Sequence, residues 1–264
     1  MLSRTGWSRA RRKRTALPST WVAVLEQQVA YYRCLPEPEQ AELRGMLQVL
    51  LGELSFEAGA GMDAVEEAMR VAIGAQATLL LLHFPLEDLP TLRSVILYPG
   101  VYRARERLWT PEGTQVEASE ERHGESWSHG VLLLSWEDVR YDLEHVADGQ
   151  NVVVHEVAHA LDDLTGESDG VPPLKDSATE ERWQEAFGRA FDQLGRDLRR
   201  GRQTLLDPYA AEDPAEFFAV AAETFLEMPR DFGAAFPELH GLMSGVFRID
   251  PAAWADCLEE GEVG

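Results

Sequence analysis

Cysteine is almost absent from this chain: Cys34 and Cys257 are the only two in 264 residues. Two thiols exclude a disulfide framework or an all-cysteine metal cluster within one chain, and they fit a reducing compartment. Long apolar runs are lacking as well. The longest, Thr78 to Phe84 (TLLLLHF), falls far short of the roughly 20 residues that a membrane-crossing helix needs, so a soluble, cytoplasmic protein without a membrane span is expected. Acid is missing from the first stretch only: Met1 to Arg14 (MLSRTGWSRARRKR) holds six of the 24 bases and no acid. This start lacks the apolar core and small-residue cleavage site of a secretory signal, and residues 1–20 read as a basic, flexible tail, with contact to anionic lipid or RNA as the lesser option. Beyond Arg14, 18 bases face 46 acids, a balance of −28 that repels phosphate backbones and disfavours direct nucleic-acid binding. Such a body suits a basic partner or simple solubility. There is no internal repeat or low-complexity segment.

What is present is 45% hydrophobic residues, enough for a substantial core. Apolar positions recur at three- and four-residue spacing from Trp21 to about Tyr32 and from about Pro38 to Leu54, which predicts two amphipathic helices. After the glycine-rich FEAGAGM, Asp63 to Leu82 reads as a helix that enters the core. LRSVILY (Leu92 to Tyr98) and VLLLSW (Val131 to Trp136) read as strands, and the polar segment between them as a hairpin or flap. Further helices are expected from Asn151 as cap to Gly166 as stop, from about Thr179 to Arg200, and from Asp213 onward. The fold class is α+β and mostly helical, with a small mixed or antiparallel sheet. Its edge near Leu132 to Trp136 is expected to pair with an extended peptide.

The chemistry concentrates in VVVHEVAHALDD, Val152 to Asp163. On a helix, residues four apart share a face, so His155 and His159 can bind one ion with Glu156 beside them. Zinc suits two neutral imidazoles plus a carboxylate and leaves a position for water, whose pKa falls toward about 7. Glu156 can then take that water's proton and pass it to the leaving nitrogen of an amide. Composition alone yields about 0.03 chance matches to His-carboxylate-x-x-His in this chain. The competing reading is a pair of solvated or core histidines. Asp163 is too far along the same helix to close around the ion, and Asp162 and Asp163 suit supporting hydrogen bonds. DPYAAEDPAEFFAVAAETF (Asp207 to Phe225) supplies candidates for the third ligand, Glu216 and Glu223 on one helical face; Glu216 alternatively completes a capping box with Asp213, and physics divides evenly between the two glutamates. Tyr209 either donates to a developing oxyanion or is a packed tyrosine.

HEVAHALD, DGVPPL, DPYAAEDPAEFFAVAAETF and LLLSWEDV together resemble the Mlc titration factor A family of bacterial zinc metallopeptidases, over about Trp21 to Pro251. The resemblance implies Zn2+ held by His155, His159 and Glu216, Glu156 as general base, Tyr209 as transition-state helper, and Glu223 behind the ligands. It implies a single zincin-like peptidase domain over residues 21–255, followed by an acidic tail at 256–264. Family members carry modest aminopeptidase activity on peptide substrates and bind Mlc, a transcriptional repressor of sugar-uptake genes. The rival expectation is a non-catalytic binding protein that sequesters a repressor around structural zinc. Val157 and Ala160 stand where the family tends to have Phe and Lys, and AETFL where it has SEYFF. These departures touch packing more than ligation.

Overall fold

The computed structural model describes residues 4–90, 92–100, 102–109, 115–122, 124–127 and 130–261. Helices α1 (Arg4–Lys13), α2 (Ser19–Gln28), α3 (Ala30–Cys34) and α4 (Glu37–Leu51) come first, followed by β1 (Ser55–Ala58), α5 (Glu67–Leu81) and β2 (Ser94–Tyr98). Strands β3 (Tyr102–Trp109), β4 (Gln115–Arg122), β5 (Gly124–Trp127) and β6 (Val131–Ser135) follow, then α6 (Trp136–Glu144) and α7 (Val152–Asp162). The chain closes with α8 (Ser177–Arg199), α9 (Pro214–Glu227), α10 (Pro229–Ala235), α11 (Pro237–Phe247) and α12 (Ala255–Gly261).

The basic start is not a loose tail. It forms α1, whose Arg9 is buried, donates to both carboxylate oxygens of Glu53 (2.9–3.2 Å) and reaches the Leu86 carbonyl at 2.6 Å. Arg12 also meets Glu53, and Lys13 meets Glu42. A buried guanidinium needs such acceptors, and Glu53, just beyond α4, and the Leu86 carbonyl supply them. The expected helix from Trp21 to Tyr32 breaks at Val29, which is extended (φ −108°, ψ 97°) and separates α2 from α3.

Strands β1, β2 and β6 run parallel in that order, and β5 lies antiparallel on the other side of β6. The sheet is therefore mixed, and the expectation that Leu132 to Trp136 forms an open edge is corrected: β6 lies between β2 and β5. Buriedness agrees, since Leu132, Leu133 and Leu134 are all in the core. Strand β1 overlaps the start of the glycine-rich FEAGAGM, where no strand is expected from the sequence. The segment read as a hairpin or flap contains the antiparallel pair β3–β4, whose connection at 110–114 lies outside the described residues.

Helix α5 is buried at every position from Val71 to Leu81, as its apolar composition requires. Helix α7 lies against α5, α9, β5 and β6, so its polar face is the one turned to the site. Trp183, Phe187, Phe217, Phe218 and Phe247 interlock beneath α9 with ring centroids 4.9–6.5 Å apart, each burying enough surface to contribute about 1.5–3 kcal/mol. The two cysteines, whose scarcity suggested a reducing setting, are joined: Cys34 of α3 forms a disulfide with Cys257 of α12, and the expected acidic tail at 256–264 is helical through Gly261.

Candidate metal centre

Three valines in a row favour a strand, yet Val152 to Val154 open a helix because Asn151 caps it. The Asn151 side chain accepts from the Val154 amide at 3.1 Å, and Gly166 (φ 86°) ends the following 3-10 turn in a left-handed conformation that glycine adopts freely. The helical spacing brings the Nε2 atoms of His155 and His159 within 3.1 Å of each other. Helix α9 crosses above them. Asp213 caps it by accepting from the Glu216 amide at 3.0 Å, and Pro214 fits its first turn, where no amide hydrogen is needed.

Glu216 Oε2 then lies 3.1 Å from His155 Nε2 and 3.4 Å from His159 Nε2. These three atoms are the one set of three metal-binding groups gathered within 4.8 Å among the described residues. Ligand bonds of about 2.0–2.1 Å in a tetrahedron place neighbouring ligand atoms about 3.3 Å apart. The observed 3.1–3.4 Å edges fit that requirement, with a fourth vertex left over.

Glu223 occupies a different place. Its Oε1 meets His155 Nδ1 at 2.8 Å, and its Oε2 accepts from the Asn151 amide at 2.6 Å. Nδ1 thus donates its hydrogen to a carboxylate, which leaves the lone pair on Nε2 directed at the centre. The two glutamates take different positions: Glu216 faces Nε2, and Glu223 sits behind the ring. Burial opposes a charged His155, but Glu223, Glu216 and Glu156 outweigh it and hold its pKa well above the usual range, so an ion that binds at Nε2 displaces a proton. Burial likewise works against Glu216 as an anion, and hydrogen bonds from both histidines overcome it and depress its pKa strongly.

Glu156 is buried to 2% exposure on α7, and its charge is felt at His155. Tyr209 stands on the 3-10 turn Pro208–Ala211, fixed by Asp207, which accepts from the Tyr209 amide at 2.8 Å. Its ring centroid is 6.3 Å from that of His155, and 49% of the residue remains exposed. Partial burial, then the negative charge of the Glu216 carboxylate, push the Tyr209 pKa up, so the group is a proton donor throughout the neutral range.

Asp162 and Asp163 shape the neighbouring loop and make no contact with the centre. Asp162 is buried and accepts from the Gly170 and Val171 amides at 2.9–3.0 Å; burial, partly offset by these bonds, raises its pKa to about 6. Asp163 accepts from Ser168. Gly170 has φ +80°, and a Cβ there would meet the Phe187 ring at 2.4 Å and the Pro214 carbonyl at 2.7 Å, which fixes the DGVPPL loop against the start of α9.

Two groups escaped sequence reading. Glu227, one turn past Glu223, accepts from the Ala147 amide at 2.7 Å and from Asn151 Nδ2 at 3.2 Å. Asp142 of α6 accepts from the Val152 amide at 2.8 Å. Burial raises Glu227 to about 8 and Asp142 to about 7. A carboxylate spaced four from Glu223 on an otherwise apolar helix was the available signal for Glu227.

A family model described as glucose-regulated metallo-peptidase M90 matches residues 4–248. The chain is 33% identical over 237 residues to the uncharacterized protein slr2042 of Synechocystis sp. (strain ATCC 27184 / PCC 6803 / Kazusa), covering 89% of this chain and 86% of that one. Mlc titration factor A of Pectobacterium atrosepticum is 34% identical over 194 residues, 71% of each chain. Mlc titration factor A of Escherichia coli (strain K12 / DH10B) is 29% identical over 242 residues, 90% of this chain and 88% of that one.

Proposed function

The chain belongs to the glucose-regulated metallo-peptidase M90 family, and from that premise we propose that it is a zinc-dependent peptidase of aminopeptidase type. The observation that carries this reading is the tetrahedral spacing of His155 Nε2, His159 Nε2 and Glu216 Oε2, with buried Glu156 adjacent on the same helix. Zinc bound there supplies a Lewis acid that polarises the scissile carbonyl and lowers the pKa of water. Glu156 removes the proton from the attacking water and delivers it to the leaving nitrogen. Tyr209 donates its hydroxyl hydrogen toward the oxygen on which negative charge develops, a role that its raised pKa and half-exposed position suit. Glu223 keeps His155 in the ligating tautomer.

A second role is favoured by the names of two relatives. Both are Mlc titration factor A, so a Mlc-like repressor of sugar-uptake genes is the protein partner proposed here, in a cytoplasmic setting. The net charge of −22 suits approach to the basic surface of a DNA-binding protein. Among the described residues no helix is long and apolar enough to cross a membrane.

The test is cleavage of a mixed peptide library before and after chelation, with and without added zinc, alongside the Glu156→Gln protein. Hydrolysis that is lost on chelation, restored by zinc and absent from Glu156→Gln supports the peptidase. Cleavage that survives either treatment overturns it. Capture of a purified Mlc-like repressor by Glu156→Gln, weakening from about 50 to 200 mM salt, separates binding from catalysis.

A further inference from the structure

The ion pairs that seat α1 use only one of its faces. Arg9, Arg12 and Lys13 turn toward α4, where Glu53 and Glu42 meet them. Glycine at 45 and 52 lets the chain close up there, since a Cβ on Gly45 would lie 2.8 Å from the Lys13 carbonyl oxygen and one on Gly52 would lie 2.8 Å from Arg12 Nε. The opposite face is a stripe. Trp7, Arg11 and Arg14 recur at four- and three-residue spacing, and the turn continues as far as Arg14, whose amide meets the Arg11 carbonyl at 3.3 Å. All three are exposed, and Trp7, at 62%, is the most exposed large hydrophobic side chain among the described residues. Arg11 and Arg14 form no ion pair among the described residues, and α1 itself carries no acid.

We propose that this outer stripe of α1 is a docking surface for an anionic phospholipid membrane, on which the chain lies without crossing it. An indole joins a broad apolar ring to one N–H donor, which suits it to the headgroup level of a bilayer, where the ring enters the acyl boundary and the donor stays wet. The guanidinium groups beside it meet lipid phosphates through paired hydrogen bonds. Charge sets the orientation: the chain beyond Arg14, with 18 bases against 46 acids, is pushed away from an acidic surface, so α1 is the part held against it. Repulsion of the body fades beyond a Debye length of about 8 Å, while the stripe stands in contact. RNA fits less well, because its affinity grows with the number of phosphates neutralised, and Arg11 and Arg14 neutralise few. A bilayer takes up the Trp7 ring as well. Two bases and one ring give weak, reversible binding that follows the anionic lipid content.

Docking through α1 does not depend on the metal centre, so binding alone is read. Full-length protein is mixed with vesicles of phosphatidylglycerol and phosphatidylcholine in equal parts, with pure phosphatidylcholine vesicles, or with a single-stranded RNA; flotation reports lipid binding and fluorescence anisotropy reports RNA binding. Flotation with the anionic vesicles alone is expected, weakening from about 50 to 200 mM salt. Trp7→Ala and Arg11→Ala/Arg14→Ala should each lower the partition coefficient roughly 10-fold, with melting temperatures close to wild type because the three side chains are exposed. Arg11→Lys/Arg14→Lys, which keeps the charge, should hold most of the binding. Arg199→Ala/Arg200→Ala removes the same charge from the exposed end of α8 and should leave the partition coefficient within about 2-fold of wild type. Stripe variants that float as well as wild type overturn the assignment, and so does an equal loss in the α8 pair. Equal binding to the phosphatidylcholine vesicles, capture of RNA in preference to lipid, or no flotation at the lowest salt overturns it too.

Discussion

At the scale of single residues, the two glutamates of α9 do different work although they lie on one helix. Glu216 touches Nε2 of both histidines, whereas Glu223 touches Nδ1 of His155 and the Asn151 amide. Glu216→Ala is expected to abolish zinc retention, while Glu223→Ala weakens affinity by about 10- to 100-fold, as for other groups that orient a ligand. Isothermal titration of both variants distinguishes them, and the reverse order would reassign the third ligand. Glu156→Gln is expected to retain its metal and to lose about 10²- to 10⁴-fold in hydrolysis, the range of a general base. His155, Glu156 and His159 were legible in the sequence because one helical turn is enough to relate them. Choosing between Glu216 and Glu223 was not, because that depends on where α9 crosses α7, which no local spacing records.

At the scale of elements, α7 was readable against the propensity of its valines because Asn151 and Gly166 mark its ends. The parallel order of β1, β2 and β6 was not readable, since an apolar run fits a buried strand of either direction. The pairing of β5 beside β6 was hidden as well, because GESW is not an apolar run, and with it the loss of the expected open edge. Nor do two distant cysteines announce their partnership; only the meeting of α3 and α12 brings them together. The loop between α7 and α8 gives a sharp test of element packing. Gly170→Ala places a Cβ against Phe187 and Pro214 in a left-handed conformation, and a loss of about 2–4 kcal/mol in denaturant unfolding is expected from overpacking and strain. A variant within about 0.5 kcal/mol of wild type would show that the loop yields freely.

At the scale of the whole molecule, the buried acids around the start of α7 set a pH dependence. Glu227 has its folded pKa raised from 4.5 to about 8, and Asp142 from 3.8 to about 7, with burial the first cause of each. An acid with a raised folded pKa favours the folded state below its unfolded value, and that contribution is lost as pH rises through the folded value. Melting temperature is therefore expected to fall between about pH 4.5 and 8, and Glu227→Gln is expected to flatten most of the upper half of that decline. A profile that rises across this window, or one that Glu227→Gln leaves unchanged, would place the titration elsewhere. Metal removal should lower the melting temperature at any one pH, because an ion bound to the folded state alone adds to its stability.

The central claim is that α7 and α9 together build one zinc site from His155, His159 and Glu216. Metal content of the purified chain by atomic emission tests it most directly. About one zinc per chain is expected for wild type and for Glu156→Gln, and less than about a tenth of that for His155→Ala and Glu216→Ala. Wild-type protein that holds no zinc after incubation with it, or a Glu216→Ala protein as fully loaded as wild type, would contradict the claim.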